Sequence, residues 1–244
     1  MEYKNHKITE AVCAFRFNPK DNHWDVTGYA DYYNAIKDYG FLKKNEIKPV
    51  QLSFNVKPNE IPQNPQMTEG DLQMVFKNED ETRAILLGNN YISFHTINHY
   101  PGWEIFSEEL ISIFLNKYFE IGYGKSLLSA QMIYINNFTL DHNHKLSEYL
   151  TFVPDMEHFG EGDELSHLFQ SAYEIAPNKK LQLKTILNVT NPEKIKNVVL
   201  ECNCVAKNST NYDIPWETLS KDAHDNAKNA FINISTDKFK TLIA

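Results

Sequence analysis

The chain has 244 residues, 42% of them hydrophobic, 13% aromatic and 23% charged, and a formal net charge of −8. That composition suits one large domain or two small ones with a buried core, and the acidic balance disfavours broad nucleic-acid binding, which needs a basic surface. No apolar run is long enough for a transmembrane helix. The leaderless start MEYKNHKITEAV and the odd count of three cysteines fit a reducing cytoplasm.

ITEAVCAFRF (8–17) is apolar and aromatic with partial alternation, is stopped by Asn18-Pro19, and reads as an internal strand. Residues 29–40 place Tyr29, Tyr32, Tyr33 and Ile36 at helical spacing, and Gly40 ends the run as a C-terminal glycine does. VQLSFNV (50–56) alternates strictly and reads as a half-buried strand. The following stretch, 57–70, carries Pro58, Pro62, Pro65 and Gly70 and reads as an irregular loop. Three short strands follow, at 72–78, 83–88 and 91–97, joined by Glu79 to Thr82 and by Gly88-Asn89-Asn90. Glycine and asparagine tolerate the positive φ of tight hairpins.

Pro101-Gly102 breaks the last of these strands. Trp103, Phe106, Leu110, Ile113, Phe114 and Lys117 then recur at i+3/i+4 spacing, which predicts a helix packed across the sheet. Gly122-Tyr123-Gly124 reads as the turn leaving it. A long strand is expected at 126–140 and a loop with one helical turn at 141–164. Strands follow at 166–176, 181–190 and 197–206, and an amphipathic helix begins near Pro215-Trp216, capped by Asp213 or Thr210. The expected fold class is α+β, with antiparallel sheets and packed helices. It is arranged either as two related strand-and-helix units, 1–122 and 126–244, or as one continuous domain.

Signatures of familiar chemistry are absent: there is no phosphate loop, dinucleotide fingerprint, HExxH or nucleophile elbow. His142-x-His144, with Asp141, His158, Asp163 and His167 within reach, is a weak metal candidate without the spacing of a known site, and no metal or other cofactor is expected. Cys202 and Cys204 share one face of a strand and read as small apolar fillers, and Cys13 lies in a strand-like run. Acid–base candidates are Glu10, His95 and His99, with Arg16 and Arg83 the chain's two arginines. In IYINNF (133–138), Tyr134, Asn136 and Phe138 share one face, and Ile133, Ile135 and Asn137 share the other. The asparagine either satisfies a neighbouring loop or faces a groove. Tyr100-Pro101-Gly102-Trp103 reads first as a fold junction. The alternative is that His99, Tyr100 and Trp103 line a binding cleft with Tyr134 and Asn136, and Arg16 is a further binding candidate.

ITEAVCAFRF, YPGWEIF, IYINNF and AHDNAKNAFINISTDKFK occur in an order that resembles a sporadically distributed family of prokaryotic proteins of unassigned activity. The resemblance covers nearly the whole chain. The family's Arg-Tyr-Ile-Asn-Arg-like strand is matched at Tyr134, Ile135 and Asn136, but Ile133 and Asn137 stand where it has arginines. The resemblance implies a cytoplasmic protein linked to mobile elements, toxin–antitoxin pairs or phage defence, and it supplies no catalytic residues. Three functions are therefore expected in order. The first is a non-enzymatic, antitoxin-like or accessory subunit that binds a protein encoded by a genomic neighbour, with homo-oligomerisation open. The second is a chaperone-like module of the type seen in SecB export chaperones, on architecture alone. The third is a hydrolase or nuclease without a familiar motif. Neither a membrane nor direct nucleic-acid contact is expected.

Overall fold

A computed structural model describes residues 7–21, 25–53, 66–141, 143–153, 166–190, 195–208 and 214–243. Eleven strands are described: β1 (Ile8–Phe17), β2 (Lys43–Ile47), β3 (Val50–Ser53), β4 (Gln66–Glu69), β5 (Gln73–Lys77), β6 (Arg83–Gly88), β7 (Tyr91–Ile97), β8 (Leu127–Leu140), β9 (Ser166–Ala176), β10 (Lys179–Thr190) and β11 (Ile195–Lys207). The helices are α1 (Thr27–Ile36), α2 (Trp103–Ile105), α3 (Ile113–Glu120), α4 (Trp216–Ile234) and α5 (Asp237–Ile243). A π-helical stretch, Phe106–Ser112, joins α2 to α3 without a break.

Nine strands form one antiparallel sheet in the order β2-β5-β6-β7-β1-β8-β11-β10-β9, and β3 pairs with β4. The fold is mixed α+β. At its centre β1 pairs with β8, so the sheet runs without interruption from the first half of the chain into the second. Outward from this pair the order is β7, β6, β5, β2 on one side and β11, β10, β9 on the other.

Period-2 alternation gives the sheet two different faces. On β1, Ala11, Cys13, Phe15 and Phe17 are buried in the main core, together with residues of both long helical segments and of β8, β10 and β11. The intervening Glu10, Val12, Ala14 and Arg16 lie on the opposite face. The core is rich in edge-to-face aromatic pairs such as Phe15–Trp216 and Phe41–Phe114. Each such pair adds about 0.5–1.5 kcal/mol beyond area burial. Tight turns are closed where expected: Asn90 (φ +58°) and Asn178 (φ +66°) take left-handed conformations, and Gly40 (φ +89°) ends the turn after α1.

Four local features differ from the sequence reading. β2 has no apolar alternation to announce it, because every residue of Lys43–Ile47 is exposed at the sheet edge. β4 falls inside the stretch read as an irregular loop, where it pairs with β3; residues 54–65 lie outside the described residues. The chain forms a separate α5 after a break at Ser235–Thr236, tied down by Thr236 Oγ1 donating to the Glu148 carbonyl at 2.7 Å. Finally, the wide π turns rotate the helix that follows Trp103. Phe106 and Ile111, five apart, both face inward, followed by Phe114, Leu115 and Tyr118, while Ile113 turns outward. The proposed caps Thr210 and Asp213 lie outside the described residues, and Pro215 stands at the residue before α4.

Candidate functional site

The helix-covered face gathers Tyr100, Trp103 and Tyr134, as the sequence suggested, and adds His224 from α4. Pro101-Gly102, with Gly102 at φ +98°, ends the strand and lets α2 begin over the sheet. Tyr134 stands at the middle of β8 between Ala11 of β1 and Cys202 of β11. Its hydroxyl lies 2.9 Å from that of Tyr100 and 2.5 Å from Nδ1 of His224. The Trp103 indole stacks on the His224 ring at 4.4 Å, with 5° between the planes.

Burial pushes the His224 pKa down to about 4. Lys228 and Lys221 add to that fall, and Asp225 and Glu104 oppose it. The imidazole is therefore neutral at pH 7. Burial likewise raises both tyrosines, so both phenols are neutral as well, and the three groups form one hydrogen-bonded chain Tyr100–Tyr134–His224 whose proton order follows the histidine tautomer. Each hydroxyl is used and each ring is packed. This is a joint that fixes two helices to the central strand pair, in agreement with the fold-junction reading of Tyr100–Trp103. Asn136, two residues along the same face of β8, is buried, and its Nδ2 has no hydrogen-bond partner among the described residues. Neither has Thr96 Oγ1, which is also buried. His99 is exposed and takes no part.

Glu10, His95 and Arg16 lie on the other face. Glu10 Oε1 is 2.8 Å from His95 Nδ1, and His95 Nε2 is 2.9 Å from Ser93 Oγ. A serine–histidine–carboxylate order invites comparison with a nucleophilic triad. Two observations oppose it. Ser93 is 0% exposed. Moreover, β7 is paired on both sides, so its amides are consumed by the ladders and leave no oxyanion-binding donors beside the serine. Arg16 lies 4.8 Å from the centre of the Tyr91 ring, and Arg83 pairs with Glu109 at 3.3 Å on the helix side. Of the acid–base candidates, the fold thus brings Glu10 and His95 together on one face, while Arg83 is paired on the helix side and His99 is exposed elsewhere.

The register exposes a further feature of this helix-free face, across which no helix packs among the described residues, although Leu242 of α5 borders it beside Val199. Leu168 on β9, Ile186 on β10, Val199 on β11, Ile135 and Ile133 on β8, Val12 on β1 and Ile97 on β7 are neighbours, directly or diagonally, across successive strands. At the usual strand spacing this apolar band is about 24 Å wide. Glu10, Glu201, Lys184, His95 and Asn203 flank it on the same face. Leu168 is 63% exposed, Val199 and the isoleucines at 97, 133, 135 and 186 are half-buried, and Val12 is buried at 5% exposure.

The remaining candidates are accounted for separately. His144 Nδ1 meets the Tyr149 hydroxyl at 3.1 Å, and its carbonyl accepts from Lys196. His167 Nε2 lies 3.5 Å from Thr185 Oγ1. His142, His158 and Asp163 lie outside the described residues, and among the described residues no three ligating side chains come together. Cys13, Cys202 and Cys204 are buried free thiols. Burial raises all three, Cys202 to about 12 and Cys204 to about 11, which leaves them unreactive fillers. A groove of about 450 Å³ at the far end of β8 and β11, lined by Lys7, Asn137, Thr139, Asn197, Val199 and Leu242, is separate from the aromatic joint. Among the described residues no helix is long and apolar enough to cross a membrane. Comparison of the chain with protein families, with curated proteins and with solved structures finds no match.

Proposed function

We propose that the protein is a non-enzymatic binding subunit that engages a protein partner through the helix-free face of its sheet. The observation that carries this reading is the apolar band from Leu168 to Ile97. A band of this width, rimmed by polar and charged side chains, has the anatomy of a protein-interaction surface. The acidic balance of the chain favours a protein partner over nucleic acid. The family resemblance adds the setting: a cytoplasmic antitoxin-like or accessory component of a prokaryotic mobile-element or defence system, whose partner is encoded next to it.

A chaperone-like module draws on the same band and differs in what it captures, since it binds extended apolar segments of unrelated sequence. The two are separated by co-expressing the tagged protein with the products of its neighbouring genes, purifying it by affinity and measuring mass by light scattering. A stoichiometric complex with one neighbour, lost in Ile135→Arg and kept in His99→Ala, is the expected result. Binding of unfolded model proteins with no neighbour retained favours the chaperone. Retention of the neighbour by Ile135→Arg removes the open face from the account.

A further inference from the structure

The two edges of the nine-stranded sheet are built differently. β2 is short and exposed, and it carries Lys43, Lys44 and Glu46, the charges that usually keep an edge from pairing with another chain. β9 is eleven residues long, SHLFQSAYEIA. It holds one carboxylate, Glu174, and no lysine, arginine, proline or glycine. Leu168, Tyr173 and Ile175 are 63%, 46% and 41% exposed along it, and among the described residues no strand pairs with its outer side. The ladder to β10 is irregular at Ile175, between Glu174 and Ala176, so the regular part of this edge is Leu168–Glu174. The outward backbone of such a stretch, with a single charge at its end, is a template for strand addition.

We infer that β9 pairs antiparallel with β9 of a second copy of this chain, about a two-fold axis at Ser171. The strand is complementary to itself in that register. Phe169 meets Tyr173 of the second copy, and Tyr173 meets its Phe169, so two aromatic cross-strand pairs flank a small Ser171–Ser171 contact. On the other face Leu168 meets Glu174, and Gln170 meets Ala172. No charge faces its own copy. The single carboxylate already has Lys180 opposite it on β10, so the edge is locally neutral on a chain of net charge −8 that otherwise repels its copies. An isologous contact of this kind closes with two chains and does not propagate. This inference rests on the edge strand and is independent of the reading of the open face.

The test combines mass with a register-specific cross-link. At roughly 50 µM, a concentration at which even micromolar contacts are occupied, light scattering should give twice the 28.3 kDa of one chain. Tyr173→Lys should return it to a single chain. Ser171→Cys should oxidise to a covalent dimer at least about tenfold more completely than Gln170→Cys. Two-fold-related 170 positions are diagonal, about 7–8 Å apart, and too distant for a disulfide. The native thiols do not confuse this readout, because all three are buried. A wild-type monomer overturns the inference. So does a dimer that cross-links no better at 171 than at 170, and this second readout stands even if Tyr173→Lys fails to fold. Ile135→Arg, which tests the open face, should leave the dimer unchanged.

Discussion

Tyr134 and Ile135 are adjacent on β8 and serve opposite faces of the sheet. The tyrosine hydroxyl is buried between Tyr100 and His224, so removing it takes a hydrogen bond from each of two polar groups. Tyr134→Phe should therefore cost about 1–3 kcal/mol in urea unfolding. His224 makes stability depend on pH with a defined sign. Its folded pKa, about 4, is below the ordinary 6.5, so below pH 6.5 the unfolded chain takes up a proton that the folded chain refuses. The contribution is complete above pH 6.5 and is lost as the pH falls towards 4, roughly 3 kcal/mol in all. His224→Gln, which cannot titrate, should lose distinctly less stability than the wild type between pH 7 and pH 5 when both are unfolded in urea. Equal losses would show that the histidine is not held neutral by the joint.

Individual elements were legible where a short period or a special φ fixes them. The alternation of β8 placed Tyr134, Asn136 and Phe138 on one face and Ile133, Ile135 and Asn137 on the other, and glycine or asparagine marked the turns at 40, 90 and 178. What failed to show had no local signal. β2 is read only through its ladder with β5, and the π turns at Phe106–Ser112 arise from packing that an i+3/i+4 count cannot foresee. His224 is subtler. It lies on the buried stripe of α4 with Ser220, Ala223 and Ala227, yet only the fold brings that stripe over Tyr134. The turn leaving α3 supplies an element-scale test. Gly124 has φ +85°, and a Cβ there would sit 2.4 Å from the Phe119 ring. Gly124→Ala combines backbone strain with a clash and should destabilise by more than about 1 kcal/mol, seen as a lowered melting temperature.

At the scale of the molecule, the continuous sheet divides its labour. One face carries the helices, the aromatic joint and the thiols. The other carries the aliphatic band, and the β9 edge carries a single carboxylate and no lysine or arginine. Sequence alone could not say which face of β8 would receive the helices, so Ile133 and Ile135 read as ordinary alternation and the band stayed invisible until the register joined six strands. The most direct test of this division compares Tyr134→Phe with Ile135→Arg, measuring both unfolding free energy and retention of the co-expressed partner. The arginine would stand between Glu10 and Glu201, whose opposite charge accommodates it, so the fold should tolerate the change. We predict that Tyr134→Phe loses stability and keeps the partner, whereas Ile135→Arg keeps its stability to within about 1 kcal/mol and loses the partner. Loss of the partner in Tyr134→Phe with Ile135→Arg binding normally would place the interaction on the helical face and contradict the account.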